Sequence, residues 1–263
     1  MLQKLSRRKF IKSTALAGIA SSLPIGNLIA ETKFDNPEPK SEVKNLVFLF
    51  QGDSITDGNR GRNNDPNHIM GHGYAFSIAS RIGADFPNEG FKFYNRGISG
   101  NTIFDLQKRW QLDTLDLKPD ILSILIGIND VDQSINNPTT APGLGKFERA
   151  FRDILTQSKN SKPDTLIVLG LPFVYQIGNR KEKWGLWSEG TSKRADIVKK
   201  LASEFQAVLI DYPAVFNKAM KNSSPDYWIW DGIHPTVFGH ELMTREWIKQ
   251  TATRLHFLKK YKY

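Results

Sequence analysis

Asn45-Leu46-Val47-Phe48-Leu49-Phe50-Gln51, followed by Gly52, and Asp120-Ile121-Leu122-Ser123-Ile124-Leu125-Ile126-Gly127 are short apolar runs that stop at glycine. Runs of this length, apolar at nearly every position, predict strands covered on both faces. Residues 91–95, 165–171 and 207–211 predict three more strands of the same kind. Between them lie stretches of helical period at 74–84, 102–115, 146–158 and 192–205, and a last one at 237–256, with Leu242, Trp247, Ile248 and Leu255 as its core candidates. Strands alternating with helices imply a parallel sheet, and right-handed crossovers close it into a three-layer α/β/α sandwich around five strands. Ligands of such sheets bind outside the carboxyl ends of the strands. The residues just after Gln51, Asn95, Gly127 and Leu171 are therefore where chemistry is expected.

The chain has 263 residues, a length that suits one large α/β domain. It contains no cysteine, which excludes a disulfide scaffold, a Cys₄ zinc site and a cysteine nucleophile. The net charge of +9 divides unevenly. Residues 1–30 carry Lys4, Arg7, Arg8, Lys9 and Lys12 and no acid, which leaves 31 basic and 27 acidic residues, +4, in the remainder. Those charges are scattered and form no basic stripe with interleaved aromatics, so nucleic acid is not an expected partner. The basic start, with Arg7 and Arg8 paired, runs into the small and apolar stretch 13–30. This is the pattern of an export signal and resembles the twin-arginine type. The expected organisation is an export signal at 1–30, a flexible lead-in at 31–44, the α/β domain at 45–258 and a basic tail at 259–263. No apolar run approaches the ~18–20 residues that span a bilayer, so no stable membrane span is expected once the signal is removed.

Three strand ends carry polar, glycine-punctuated sequence. Gly52-Asp53-Ser54-Ile55-Thr56-Asp57-Gly58 follows the first, and a serine on a tight strand-to-helix turn presents its hydroxyl at the sheet edge. An ordinary capped turn fits the tripeptide as well. Asn95-Arg96-Gly97-Ile98-Ser99-Gly100-Asn101-Thr102 follows the second, where glycine allows close backbone approach and a helix start leaves N–H donors unpaired. Gly127-Ile128-Asn129-Asp130 follows the third and brings a carboxamide beside the serine turn. Near the C-terminus, Trp230-Asp231-Gly232-Ile233-His234-Pro235 sets an acid three positions before a histidine on a constrained loop. A serine hydroxyl needs a base within hydrogen-bond reach, and histidine works best when a carboxylate fixes its tautomer.

Together, Gly-Asp-Ser, Ser-Gly-Asn-Thr, Ile-Gly-Ile-Asn-Asp and Asp-Gly-Ile-His-Pro resemble the four blocks of the SGNH (GDSL) esterases and lipases, over about residues 46–247, nearly all of the expected mature chain. The resemblance implies a flavodoxin-like sheet with Ser54 as nucleophile, His234 as general base and Asp231 as its orienting carboxylate. It also implies an oxyanion hole of the Ser54 and Gly100 amides and the Asn129 side chain. Asp53 adjoins the nucleophile and is expected to hold the turn. The extended wording, Gly-Asp-Ser-Ile-Thr-Asp, Gly73-Tyr74, Asn-Arg-Gly-Ile-Ser-Gly-Asn, Arg109-Trp110, Ile-Gly-Ile-Asn-Asp-Val and Pro172-Phe173, resembles most the carbohydrate O-acetyl esterases, bacterial acetylxylan esterases among them. That group implies an acetylated polysaccharide or oligosaccharide as substrate, no metal or other cofactor, and a homo-oligomer. Asp57, Arg60, Tyr74, Trp110 and Trp230 are the candidates for contacting substrate; tryptophan offers flat faces to sugar rings. Trp184, Trp187 and Trp228 offer similar faces, the loop at 58–73 is expected to border the cleft, and His240 and His256 read as ordinary helix residues. The expected function is that of an exported serine esterase, periplasmic or extracellular. Action on another acyl ester, such as a lysophospholipid, and a glycan-binding protein with a vestigial site remain open at this level.

Overall fold

The computed structural model describes residues 43–263. The export signal expected at 1–30 and most of the lead-in, 31–42, lie outside the described residues. Five strands, β1 (Val47–Gly52), β2 (Lys92–Asn95), β3 (Ile121–Leu125), β4 (Leu166–Gly170) and β5 (Val208–Ile210), form one parallel sheet in the order β2-β1-β3-β4-β5. Nine helices occur among the described residues: α1 (Ser54–Asp57), α2 (Tyr74–Asp85), α3 (Ile103–Lys108), α4 (Ile128–Asn136), α5 (Leu144–Ser161), α6 (Trp184–Glu204), α7 (Tyr212–Ala219), α8 (Pro225–Trp228) and α9 (Val237–Thr251). The expected α/β/α sandwich is the observed one, and none of these helices is long and apolar enough to cross a membrane.

Strand alternation divides the core in two. Phe48 and Phe50 of β1 and Leu125 of β3 face α2, α7 and α9, where Ile78, Phe216 and Trp247 are buried. Leu49, Leu122, Ile124 and Leu169 face α3, α5 and α6, where Leu106, Phe151 and Val198 are buried. Both faces are dry, which is why β3 reads as an unbroken apolar run. Its one polar residue, Ser123, accepts a hydrogen bond from the Trp247 indole at 3.0 Å, so neither group is left unsatisfied.

Element ends differ from expectation by a few residues, and one helix differs in kind. The helical period at 102–115 is broken: α3 ends at Lys108 and a π-helical turn follows at Gln111–Leu115. Gln51 explains the break, because its amide donates to Asp113 O at 2.9 Å and to Thr114 Oγ1 at 2.8 Å. The wider turn lets both Trp110 and Thr114 point inward. α6 begins eight residues earlier than its expected start at Ser192, and α9 ends at Thr251 rather than His256. α4 and α7, each under ten residues, lie where no helix is expected from the period. The segment expected as a solvated basic tail packs on α2: the Tyr261 hydroxyl donates to Arg81 O at 3.2 Å, and Lys260 Nζ lies 3.3 Å from Asp85.

His240, on α9, is more than an ordinary helix residue. α2 has no side-chain cap of its own, and the Tyr74 amide donates instead to His240 Nδ1 at 3.2 Å. Burial, helped by the charges of His72 and His234, pushes the His240 pKa from 6.5 down to about 4. Between those values the unfolded chain binds a proton that the folded imidazole refuses. The contribution is therefore whole above pH 6.5 and is lost as the pH falls toward 4, by about 3 kcal/mol. His240→Gln keeps an acceptor but cannot titrate. Its urea unfolding free energy is expected to fall less than that of the parent between pH 7 and 4.5. Asp53 and Asp130, raised in pKa and opposite in sense, are common to both proteins and cancel in the comparison. Equal slopes would refute the capping role.

Candidate active site

β1 turns into α1 at Gly52, where a Cβ would lie 2.3 Å from Leu125 O and 2.4 Å from Thr56 Oγ1, so no side chain fits. Asp53 then accepts the Ile55 amide on Oδ1 at 3.0 Å and caps the one-turn helix that Ser54 begins. Its second oxygen is buried and has no partner among the described residues. Burial, with Asp130 nearby, pushes the Asp53 pKa up to about 7 against the pull of the Ile55 amide and His234. Asp53 therefore serves the turn, as expected, and its side chain is sealed from the cleft.

Ser54 Oγ lies 2.7 Å from His234 Nε2, across 180 positions of sequence. His234 Nδ1 lies 2.7 Å from Asp231 Oδ2. The other carboxylate oxygen accepts the amides of His234 at 2.7 Å and Ile233 at 2.9 Å. Burial works against ionisation of Asp231, but the imidazole and these two amides outweigh it and hold the pKa at about 2. An ionised carboxylate only accepts, so Nδ1 carries the hydrogen and Nε2 presents its lone pair to Ser54. Gly232 makes the loop possible. It sits at φ +94, and a Cβ there would meet Tyr175 O at 2.5 Å.

The oxyanion candidates are brought to the same edge by neighbouring strand ends. Ser54 N–H is one of the first-turn amides of α1 and has no intrahelical acceptor. Gly100 sits at φ +82 with open space where a side chain would be. Asn129 stands in the first turn of α4 and gives one amide hydrogen to Asn101 O at 3.0 Å, which leaves the other for a ligand. The segment that carries Gly100 is tied down on both sides. Ile98 N–H donates to Gly52 O at 3.1 Å, and Ser99 donates to Asp57 Oδ2 from its amide and its hydroxyl at 3.0 and 2.9 Å.

The substrate candidates do not all face the cleft. Tyr74 is fully buried with its hydroxyl 2.9 Å from Thr56 Oγ1, and burial raises its pKa well above the usual phenol range. Trp110 is buried under α5 with its indole donating to Ser158 Oγ at 3.2 Å. Asp57 is buried as well, and its oxygens are spent on Ser99, the Arg60 amide and a two-pronged pair with Arg62. These three residues are corrected from substrate contacts to framework. Arg60 is half-buried and donates from Nε to Gly97 O at 2.9 Å; burial and the charges of Arg62 and Arg96 bring its pKa down to about 10. Trp230 alone of the five stands open, 63% exposed, with its ring stacked 6.0 Å from that of His234. Of the other tryptophans Trp187 is buried, while Trp184 and Trp228 are half-buried.

Two further residues matter that their types alone did not mark. Asn95, buried at the end of β2, donates to Thr56 O, Asp57 O and Met70 O and accepts the Gly97 amide, so it ties α1 to the loops that carry Met70 and Gly97. Arg109 holds Asn101 Oδ1 at 2.9 Å while bonded to Gln51 Oε1 and Asp113. A polar residue ending an otherwise apolar strand was the available signal for Asn95. The arrangement as a whole can activate a hydroxyl for attack on a carbonyl and present donors to the oxygen that becomes negative.

The model of the GDSL-like lipase/acylhydrolase family matches residues 50–242. An acetylxylan esterase of Geobacillus stearothermophilus is 33% identical over 208 residues, which is 77% of this chain and 92% of that protein. Its crystal structure superposes with a TM-score of 0.70 at 32% identity, covering 80% of this chain and 95% of the other. A protein of Parabacteroides merdae described as a GDSL-like lipase superposes with a TM-score of 0.75 at 35% identity, over 81% of this chain and 99% of its own.

Proposed function

We propose that the chain, which belongs to the GDSL-like lipase/acylhydrolase family and is a carboxylic ester hydrolase, takes as substrate a carbohydrate bearing O-acetyl groups. The observation that carries this reading is the open face of Trp230 beside His234, in a chain similar over most of its length to an acetylxylan esterase. In that relative, the aspartate replaced in a catalytic variant directly follows a tryptophan replaced in a second variant, the order of Trp230 and Asp231 here. An aromatic face next to the general base suits the apolar face of a sugar ring whose acetyl carbonyl is under attack.

In this mechanism Ser54 Oγ forms a bond to the acetyl carbon as its proton passes to His234 Nε2. The carbonyl electron pair moves to oxygen, where the amides of Ser54 and Gly100 and the Asn129 side chain meet the charge. Collapse breaks the bond to the sugar oxygen, which leaves with the proton from His234. Water then gives its proton to His234 and attacks the acetyl-serine, and acetate departs as Ser54 recovers its proton. Asn129→Ala removes one donor and is expected to lower kcat by about 10²–10³-fold with little change in KM. A change under threefold would take Asn129 out of the oxyanion hole. The basic, paired-arginine start supports export of the protein and action outside the cytoplasm.

The test is acetate release from acetylated xylo-oligosaccharide, with 4-nitrophenyl acetate and 4-nitrophenyl octanoate assayed beside it. Release of acetate, and a strong preference for acetate over octanoate, is the expected result. If only the small synthetic esters are cleaved, the ester chemistry stands and the carbohydrate assignment fails. Preference for octanoate would point to a lipid ester.

A further inference from the structure

A parallel sheet opens a crevice wherever neighbouring strand ends send the chain to opposite faces. Ser54 lies at one such place: β1 leads to α2 on one face, and β3 leads to α5 on the other. The same condition holds at the far edge. β4 leads to α6, whose Ala195, Val198 and Leu201 pack on the face of α5. β5 leads to α7, whose Tyr212 and Phe216 pack on the face of α2. A cavity of about 430 Å³ opens between them.

We propose that this β4–β5 crevice is a second binding site, for a neutral oligosaccharide, distinct from the cleft at Ser54. Thr191 lines it from α6 and is only 5% exposed, yet its hydroxyl oxygen has no hydrogen-bond partner among the described residues. A buried hydroxyl without a partner is destabilising, and a ligand that hydrogen-bonds to it relieves that cost. Ser188 and Ser192 add hydroxyls from the same helix, and Asn217 adds an amide from α7. Phe173 and Pro213 supply apolar walls. Alternation of hydroxyl-matching groups with apolar faces is what a sugar presents to a protein, a ring of C–H faces with a hydroxyl edge. Asp211, with Oδ1 committed to the Ala214 amide at 2.9 Å, and Lys199, paired with Asp196, stand at the rim. A carboxylate and an ammonium together disfavour a ligand of either strong charge.

The crevice is also coupled to the catalytic loop. Tyr175 lines it, and the Tyr175 amide donates to Gly232 O at 2.8 Å, between Asp231 and His234. Along the sheet it lies about two strand spacings, roughly 10 Å, from the cleft at Ser54. A glycan held here is a neighbouring stretch of the chain whose acetyl group is removed, so the ligand class rests on the carbohydrate assignment above.

Titration calorimetry of the full chain with unacetylated xylohexaose tests the proposal. Binding to the parent is expected, with affinity at least tenfold weaker in the Ser192→Ala/Asn217→Ala double variant and in Thr191→Val, each checked for an unchanged melting temperature. Absence of binding, or equal affinity in parent and variants, overturns it. Should either variant melt early, Ser188→Ala at the half-exposed rim carries the same comparison. The acetate-release assay separates the two readings. Xylohexaose binding that depends on the crevice, without release of acetate from acetylated xylo-oligosaccharide, keeps the crevice and sinks the carbohydrate-esterase assignment.

Discussion

Ser54→Ala is expected to lower kcat on an acetate ester by about 10⁶-fold while the protein melts at its usual temperature. Among the described residues the hydroxyl makes a single hydrogen bond, to His234 Nε2 at 2.7 Å, and the cap of α1 does not depend on it. Asp53 caps that helix through its own carboxylate, and Gly58 closes it with an amide on Ser54 O, a backbone atom the substitution retains. The Ser54 amide also survives, as do Gly100 and Asn129, so the oxyanion donors remain to act on an ester attacked by water. A residue of about 10³–10⁴-fold over the uncatalysed reaction is therefore expected. Acetate release and a melting curve on the same preparation check both halves. A loss of less than a hundredfold would mean that a water molecule, and not Ser54, attacks the ester.

Much of this was legible in the sequence because the physics is local. Apolar runs such as 120–127 carry only one fate when both faces are covered, and Gly52 and Gly127, which end the first and third runs, mark strand ends where ligands bind. The spacing of Asp231 and His234 is also local: three residues and one glycine at positive φ suffice to bring Nδ1 to the carboxylate. Substrate contacts were less legible, since they depend on which way a side chain points. Trp110 and Trp230 are the same residue type, each followed by a polar residue, yet the π-helical turn rotates Trp110 into the core while the loop before His234 leaves Trp230 in solvent. Asp57 and Tyr74 lie in motifs that touch the site and nevertheless serve as its framework. His240 shows the same limit: its partner is an amide 166 positions away, so nothing near it in sequence marks it as a cap.

Asp231→Asn is expected to lower kcat by about 10⁴-fold without unfolding the loop, a value drawn from the equivalent substitution in a serine protease triad. The reason lies in which atoms donate. In the parent, Oδ1 accepts two backbone amides, from His234 and Ile233, and Oδ2 faces His234 Nδ1. An asparagine keeps the two amides satisfied only by placing its oxygen at the Oδ1 position, which puts its NH₂ opposite Nδ1. Nδ1 must then accept, the hydrogen moves to Nε2, and an N–H points at Ser54 Oγ where a lone pair is required. The geometry is preserved and the base is lost. The Asp231 pKa of about 2 supplies a companion test on the parent protein. A carboxylate held that low contributes stability that is whole above its ordinary value near 3.8 and is lost only as the pH falls toward 2. The parent should thus show an acid-side stability loss in that window that Asp231→Asn lacks, with both proteins folded near neutrality. If the variant kept kcat within tenfold, the imidazole would be oriented by something other than Asp231, and the tautomer argument would fall with it.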